Sequence, residues 1–70
     1  MSAAAIAIFE RIFRRNPSED ERTEMARWPE IDPYVLAYCF ELQAMAGREH
    51  LWSVAAALQR RGLLPMEVDA

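Results

Sequence analysis

Apolar residues recur at helical spacing along almost the whole chain, and polar breaks divide this pattern into three segments. The first segment predicts a helix over about residues 2–15, which Ser2 can cap and Pro17 ends. Its apolar stripe consists of Ile6, Phe9, Ile12 and Phe13.

The second segment is short and acidic, and it predicts a helix over about residues 17–28. Two capping registers are open for its start. Either Asn16 caps with Pro17 at the first helical position, or Ser18 caps with Glu21 three residues later, the spacing of a capping box.

The third segment is the most informative, because it has a marked start and a marked end. Asp32 can cap a helix that begins at Pro33, and Gly62 suits the left-handed residue that follows a helix. One helix over about residues 33–61 would be roughly 43 Å long, whereas a compact chain of this length is roughly 28 Å across. We expect one helix, kinked near Gly47, because the apolar phase continues through Gly47 and no capping residue follows it. A break into a hairpin near Gly47 is the alternative, and residues 62–70 form a tail.

Two apolar stripes run along this third segment, and together they are wider than two short helices can cover. We therefore expect a single all-α, bundle-like domain over residues 1–70 that forms a homodimer, with the long helices packed antiparallel. The first stripe consists of Leu36, Phe40, Ala44, Gly47, Leu51, Val54 and Leu58. The second consists of Val35, Tyr38, Leu42, Met45, Trp52 and Ala56, and Glu49 interrupts it.

Composition and charge narrow the class of protein. Of the 70 residues 53% are hydrophobic, but many are Ala, which adds little core volume. The net charge of −3 argues against a binder of the nucleic-acid backbone, which needs a surplus of cations. The single cysteine, Cys39, excludes an internal disulfide and fits a reducing, cytoplasmic setting. No apolar run reaches the roughly 18 residues of a membrane span.

The chemistry-bearing residues are few. Cys39 and His50 are three helical turns apart within one helix, so they would pair only in a hairpin or between subunits. Glu49 and His50 are adjacent in sequence and point to different faces of a helix, which excludes them as joint ligands of a metal. The sequence therefore predicts no enzyme, no metal and no cofactor.

The segment from Leu51 to Leu64 resembles the recognition helix of winged-helix regulators, which often ends in a basic pair, Gly and Leu-Leu. The resemblance covers less than a quarter of the chain and implies DNA binding through residues 52–61. It departs from that family after Pro65, because the remaining residues are too few for the β-hairpin wing.

The large aromatic residues of the third segment favour a different function. In so small a domain Tyr38, Met45 and Trp52 could simply fill the core, but Tyr, Trp, Met and Arg are also enriched at protein interfaces. We therefore expect a non-enzymatic adaptor or inhibitor that binds another protein, by analogy with small helical regulators of bacteria and phages that block a host complex. A DNA-binding regulator and a structural subunit of a larger assembly are the alternatives. The candidate partner-binding residues are Tyr34, Tyr38, Met45, Arg48, Glu49 and Trp52.

Overall fold

A computed structural model describes residues 3–65, and within this range the chain forms four helices and no strand. The all-α prediction is confirmed, but the count of three helices is wrong because the third segment forms two. The cap at Ser2 and the tail beyond Pro65 lie outside the described residues. The helices are α1 (Ala3–Phe13), α2 (Glu19–Ala26), α3 (Pro33–Met45) and α4 (Leu51–Arg60).

The predicted helix over residues 33–61 is interrupted at Gly47, where the backbone takes a left-handed φ of 77°. The amide of Arg48 donates to the carbonyl of Gln43 at 2.8 Å, and the amide of Gly47 donates to Ala44 at 3.0 Å. These are the two hydrogen bonds of a Schellman motif, which satisfies the free carbonyls at the end of a helix. The preference for a continuous helix was therefore wrong, and the hairpin alternative is the one that forms.

The start of α4 explains why a continuous helix was preferred over this break. His50 is the capping residue, and its side chain makes no capping hydrogen bond. The radius of gyration is 11.2 Å and the longest dimension is 35 Å, so a straight 33–61 rod would not fit.

The other helix ends follow local signals more closely. Asp32 accepts a hydrogen bond from the amide of Tyr34 at 2.8 Å, with Pro33 at the first helical position, as predicted. At α2 the Ser18–Glu21 capping box forms, so this register is chosen over Asn16. The first helix is shorter than predicted, because Arg14 adopts a φ of 59° directly after Phe13.

The core lies where α1, α3 and α4 meet, and α1 packs chiefly on α3. The ring of Phe9 is 5.0 Å from that of Phe13 and 6.0 Å from that of Phe40, both edge to face. From the first predicted stripe, five residues are fully buried: Leu36, Phe40, Leu51, Val54 and Leu58.

Arg15 ties two loops together on one side of the molecule. Its guanidinium donates to both carboxylate oxygens of Glu21, at 2.9 and 3.0 Å, and to the backbone carbonyl of Glu49 at 3.1 Å. It also lies 4.7 Å from the centre of the Phe9 ring. The α1–α2 loop is thereby fastened to the α3–α4 turn.

Candidate functional site

Helix α3 presents large side chains directly away from the core. Tyr34 is 87% exposed, Met45 is 83% exposed and Tyr38 is 51% exposed. With the exposed Glu41, these residues lie within about 60° of one another around the helix axis, since each residue turns the helix by about 100°. We call this set of four residues the outer face of α3.

The opposite side of the same helix supplies the centre of the core. Leu36, Cys39 and Phe40 are each fully buried there. Apart from Glu41, large apolar or aromatic side chains lie on both sides of α3, and only one of these sides is buried. The outer face of α3 is therefore an exposed surface of large side chains on a helix whose other side is the core.

A guanidinium group flanks this face from the neighbouring helix. The Cζ atom of Arg61, directly after α4, lies 5.4 Å from the centre of the Tyr38 ring, within the range of a cation–π contact. Arg61 is the residue that sequence reasoning missed, because its approach to Tyr38 exists only once α4 folds back along α3. Its charge and that of Glu41 give the face one cationic and one anionic group.

Trp52, predicted to belong with Tyr38 and Met45, lies elsewhere. It is 52% exposed and lines a cleft of about 240 Å³ with Glu24 of α2 and Gln59 of α4. Trp52 and Arg61 are nine residues apart, which places them on roughly opposite sides of the α4 axis. The predicted continuous stripe of Tyr38, Met45 and Trp52 is therefore wrong, because the break at Gly47 divides it into two surfaces.

Arg48 and Glu49, the other two candidate residues, are exposed in the turn between α3 and α4. The backbone of Glu49 is already engaged, since its carbonyl accepts the hydrogen bond from Arg15. The structure thus places these two residues near the end of α3, outside the outer face itself.

Cys39 and His50 do not form a nucleophile–base pair. Cys39 is fully buried, and burial raises the pKa of its thiol although the nearby charge of Arg61 acts in the opposite direction. His50 is exposed at the start of α4. A thiol held protonated in the core is a packing residue rather than a reactive one.

The hydroxyl of Ser53 lies near the His50 ring, at 3.2 Å from Nδ1 and 3.3 Å from Nε2. An oxygen this close to both nitrogens cannot lie in the ring plane without overlapping Cε1, so neither nitrogen lone pair points to it. The pair therefore lacks the geometry by which a histidine activates a serine.

The described part of the chain has neither a candidate metal site nor a candidate membrane span. Residues 3–65 contain no cluster of three His, Cys, Asp or Glu side chains arranged to hold a metal ion. Within the same range, every helix falls short of the length and apolar character needed to cross a membrane.

Comparison with protein-family models finds no match, and searches of curated proteins and of solved structures find no significant match either. The assignment of function therefore depends on the surfaces described above.

Proposed function

We propose that this chain is a small, non-enzymatic protein-binding module, an adaptor or inhibitor that presents the outer face of α3 to another protein. The observation that supports the proposal is the exposure of Tyr34, Tyr38 and Met45 on a helix whose other side is the core. Burying one such side chain is worth roughly 1.5 to 3 kcal/mol, so three of them supply the central contacts of an interface.

The shape of the outer face of α3 favours a partner whose binding site is a groove. Helix α3 has 13 residues and is about 20 Å long, and it presents a convex ridge. A groove contacts such a ridge on three sides, the mode in which a helix inserts its anchors at spacings of three, four and seven residues. The partner surface is therefore an apolar groove, with an acidic rim residue near Arg61 and a basic one near Glu41.

A second copy of the chain is a weaker candidate for the same face. A stable interface buries about 800 Å² on each partner, which is a large share of the 4762 Å² surface of this chain. The homodimer expected from the sequence also loses its 29-residue helices, because α3 and α4 are separate.

Photocrosslinking tests the surface directly. A photoreactive phenylalanine analogue replaces Tyr34 in one variant and Trp52 in another, and both proteins are irradiated in extract of the native cell. We expect one dominant adduct from position 34 and little from position 52. The substitution Tyr38→Ala in the position-34 protein should reduce that adduct at least fivefold.

Two outcomes would contradict the proposal. One is equal crosslinking from both positions, which would show that any exposed aromatic residue captures protein. The other is an adduct that has the mass of two copies of the chain, together with a stable dimer by sedimentation at micromolar concentration. That result would make self-association the role of the face.

DNA binding through α4 is the second candidate, and one observation favours it. Arg48 and Arg60 line one cleft beside α4, and neither forms an ion pair among residues 3–65. A gel-shift titration with duplex DNA at low salt tests this candidate. A shift that weakens steeply as salt is raised would support it, and the absence of any shift would eliminate it.

A further inference from the structure

A shallow cleft at the junction of α3 and α4 is separate from the outer face of α3. It has a volume of about 220 Å³. It is lined by Gln43, Arg48, Ser53, Ala56 and Arg60. Two of these five residues carry a positive charge and none carries a negative charge, although the chain as a whole has a net charge of −3.

The charges of the two arginines are not neutralised within the described chain. Arg15, Arg22 and Arg27 each lie within 4 Å of a carboxylate, and Arg61 lies over Tyr38. Arg48 and Arg60 have neither kind of contact within residues 3–65. Both side chains are exposed and line the same cleft, so both positive charges are available to an anion that enters it.

The neutral groups of the cleft also suit an anion. The hydroxyl of Ser53 and the side-chain amide of Gln43 can each donate a hydrogen bond. Ser53 is in the first turn of α4, where the partial positive charge of the helix dipole adds to the attraction. Arginine can only donate, and its forked guanidinium matches the oxygens of phosphate.

We propose that this cleft binds a single phosphate group, either free or as a phosphate monoester on a small molecule. Arg48 and Arg60 hold the charged oxygens, and Ser53 and Gln43 donate to those that remain. A polyanionic strand fits less well, because the chain as a whole has a net charge of −3 and the cleft has room for few phosphates.

Titration of ¹⁵N-labelled protein with inorganic phosphate tests the site, followed by NMR at constant ionic strength with chloride as the comparison. We expect saturable shifts at the Ser53 amide and the Gln43 side-chain amide, with a Kd on the order of 1 mM, as suits a few charge-assisted hydrogen bonds. Glucose 6-phosphate, as a phosphate monoester, should produce shifts at the same two residues.

A matched pair of variants distinguishes the cleft from general charge. R48Q/R60Q removes two cations from the cleft and should weaken phosphate binding at least tenfold. R11Q/R14Q removes two exposed cations elsewhere, with the same change in net charge, and should alter binding less than twofold. Y34A/Y38A should bind phosphate normally, so failure of this site and failure of the proposed function can be told apart.

Three results would overturn the proposal. The first is a linear, unsaturated shift that chloride reproduces. The second is equal weakening by both arginine pairs. The third is tighter binding of a single-stranded oligonucleotide than of phosphate, with affinity that rises with strand length, which would indicate a nucleic-acid surface instead.

Discussion

Glu21 is the charged side chain most firmly held in the described chain, and only 9% of that side chain is exposed. Its carboxylate accepts hydrogen bonds from Arg15 and from the backbone amide of Ser18. The bond from Arg15 is the main reason that the pKa of Glu21 falls from 4.5 to about 2, although burial acts in the opposite direction. The same side chain therefore caps α2 and fastens α1 to it.

The stability of the protein should depend on pH through this carboxylate. Its pKa is lower in the folded chain, so the stabilisation is complete above about pH 4.5 and is lost as the pH falls towards 2. The amount is on the order of 3 kcal/mol at most. Urea unfolding measured from pH 7 to pH 2.5 should show this loss.

The variant Glu21→Gln should unfold more easily at pH 7, by about 1 to 3 kcal/mol, and should lose less stability in acid. Glu10→Gln is the control, because Glu10 is 41% exposed and lies 3.5 Å from Arg22 in a surface pair. If both variants follow the wild-type acid profile, Glu21 is not the group responsible.

At the scale of the helices, two glycines each end a helix in the same way. Gly47 and Gly62 have φ values of 77° and 75°, and each is followed by the pair of hydrogen bonds that closes a Schellman motif. Only the end at Gly62 was predicted, because it lies before Pro65. The end at Gly47 was only the alternative prediction, because no side chain in the sequence is placed to cap the helix that follows.

We expect Gly47→Ala to destabilise the fold by about 1 kcal/mol, since a left-handed φ is costly for a residue with a Cβ atom. No neighbouring atom lies within 4 Å of the position that this Cβ would occupy, so the cost is conformational rather than steric. Gly47→Asn should cost less, because Asn tolerates this conformation. Urea unfolding of the three proteins measures both effects.

A Gly47→Ala protein as stable as the wild type would mean that the chain passes through residue 47 as a helix. Circular dichroism would then show added helix content, and the two surfaces of the third segment would merge. Gly62→Ala is a useful comparison, since its φ and its open surroundings are nearly the same.

Much of the helical architecture could be predicted because it depends on local signals. Asp32 with Pro33, Ser18 with Glu21, and Gly62 all lie at helix ends as expected. Burial of five residues of the first stripe followed from its periodicity, whereas Gly47 of the same stripe is exposed. The separation of Trp52 from Tyr38 could not be predicted, because it depends on the direction that the chain takes after Gly47.

For the whole molecule, the margin of stability is thin. A domain of this size buries only about 60% of its unfolded surface. Phe9 is fully buried against Phe13 and Phe40, so it belongs to the part of the core that joins α1 to α3. A single cavity at this position removes a large share of the total stability.

We therefore expect Phe9→Ala to cost about 3 to 5 kcal/mol and to lower Tm by roughly 15 °C or more. Tyr34→Ala should change the free energy of unfolding by less than about 0.5 kcal/mol, because the side chain of Tyr34 is 87% exposed. Thermal unfolding followed by circular dichroism compares the two. A loss above about 2 kcal/mol in Tyr34→Ala would make the outer face of α3 part of the fold, and the proposed function would lose its support.

The exposure of Tyr34 and Met45 also has an evolutionary consequence. Folding places almost no demand on these two positions, so drift alone would replace an aromatic ring and a thioether there with small or charged residues. Where related chains keep bulky apolar residues at both positions while Thr23 and Glu30 vary, selection is acting on something outside the monomer. Comparing the substitution rates at Tyr34 and Met45 with those at Thr23 and Glu30 would therefore show that a partner exists, even while its identity is unknown.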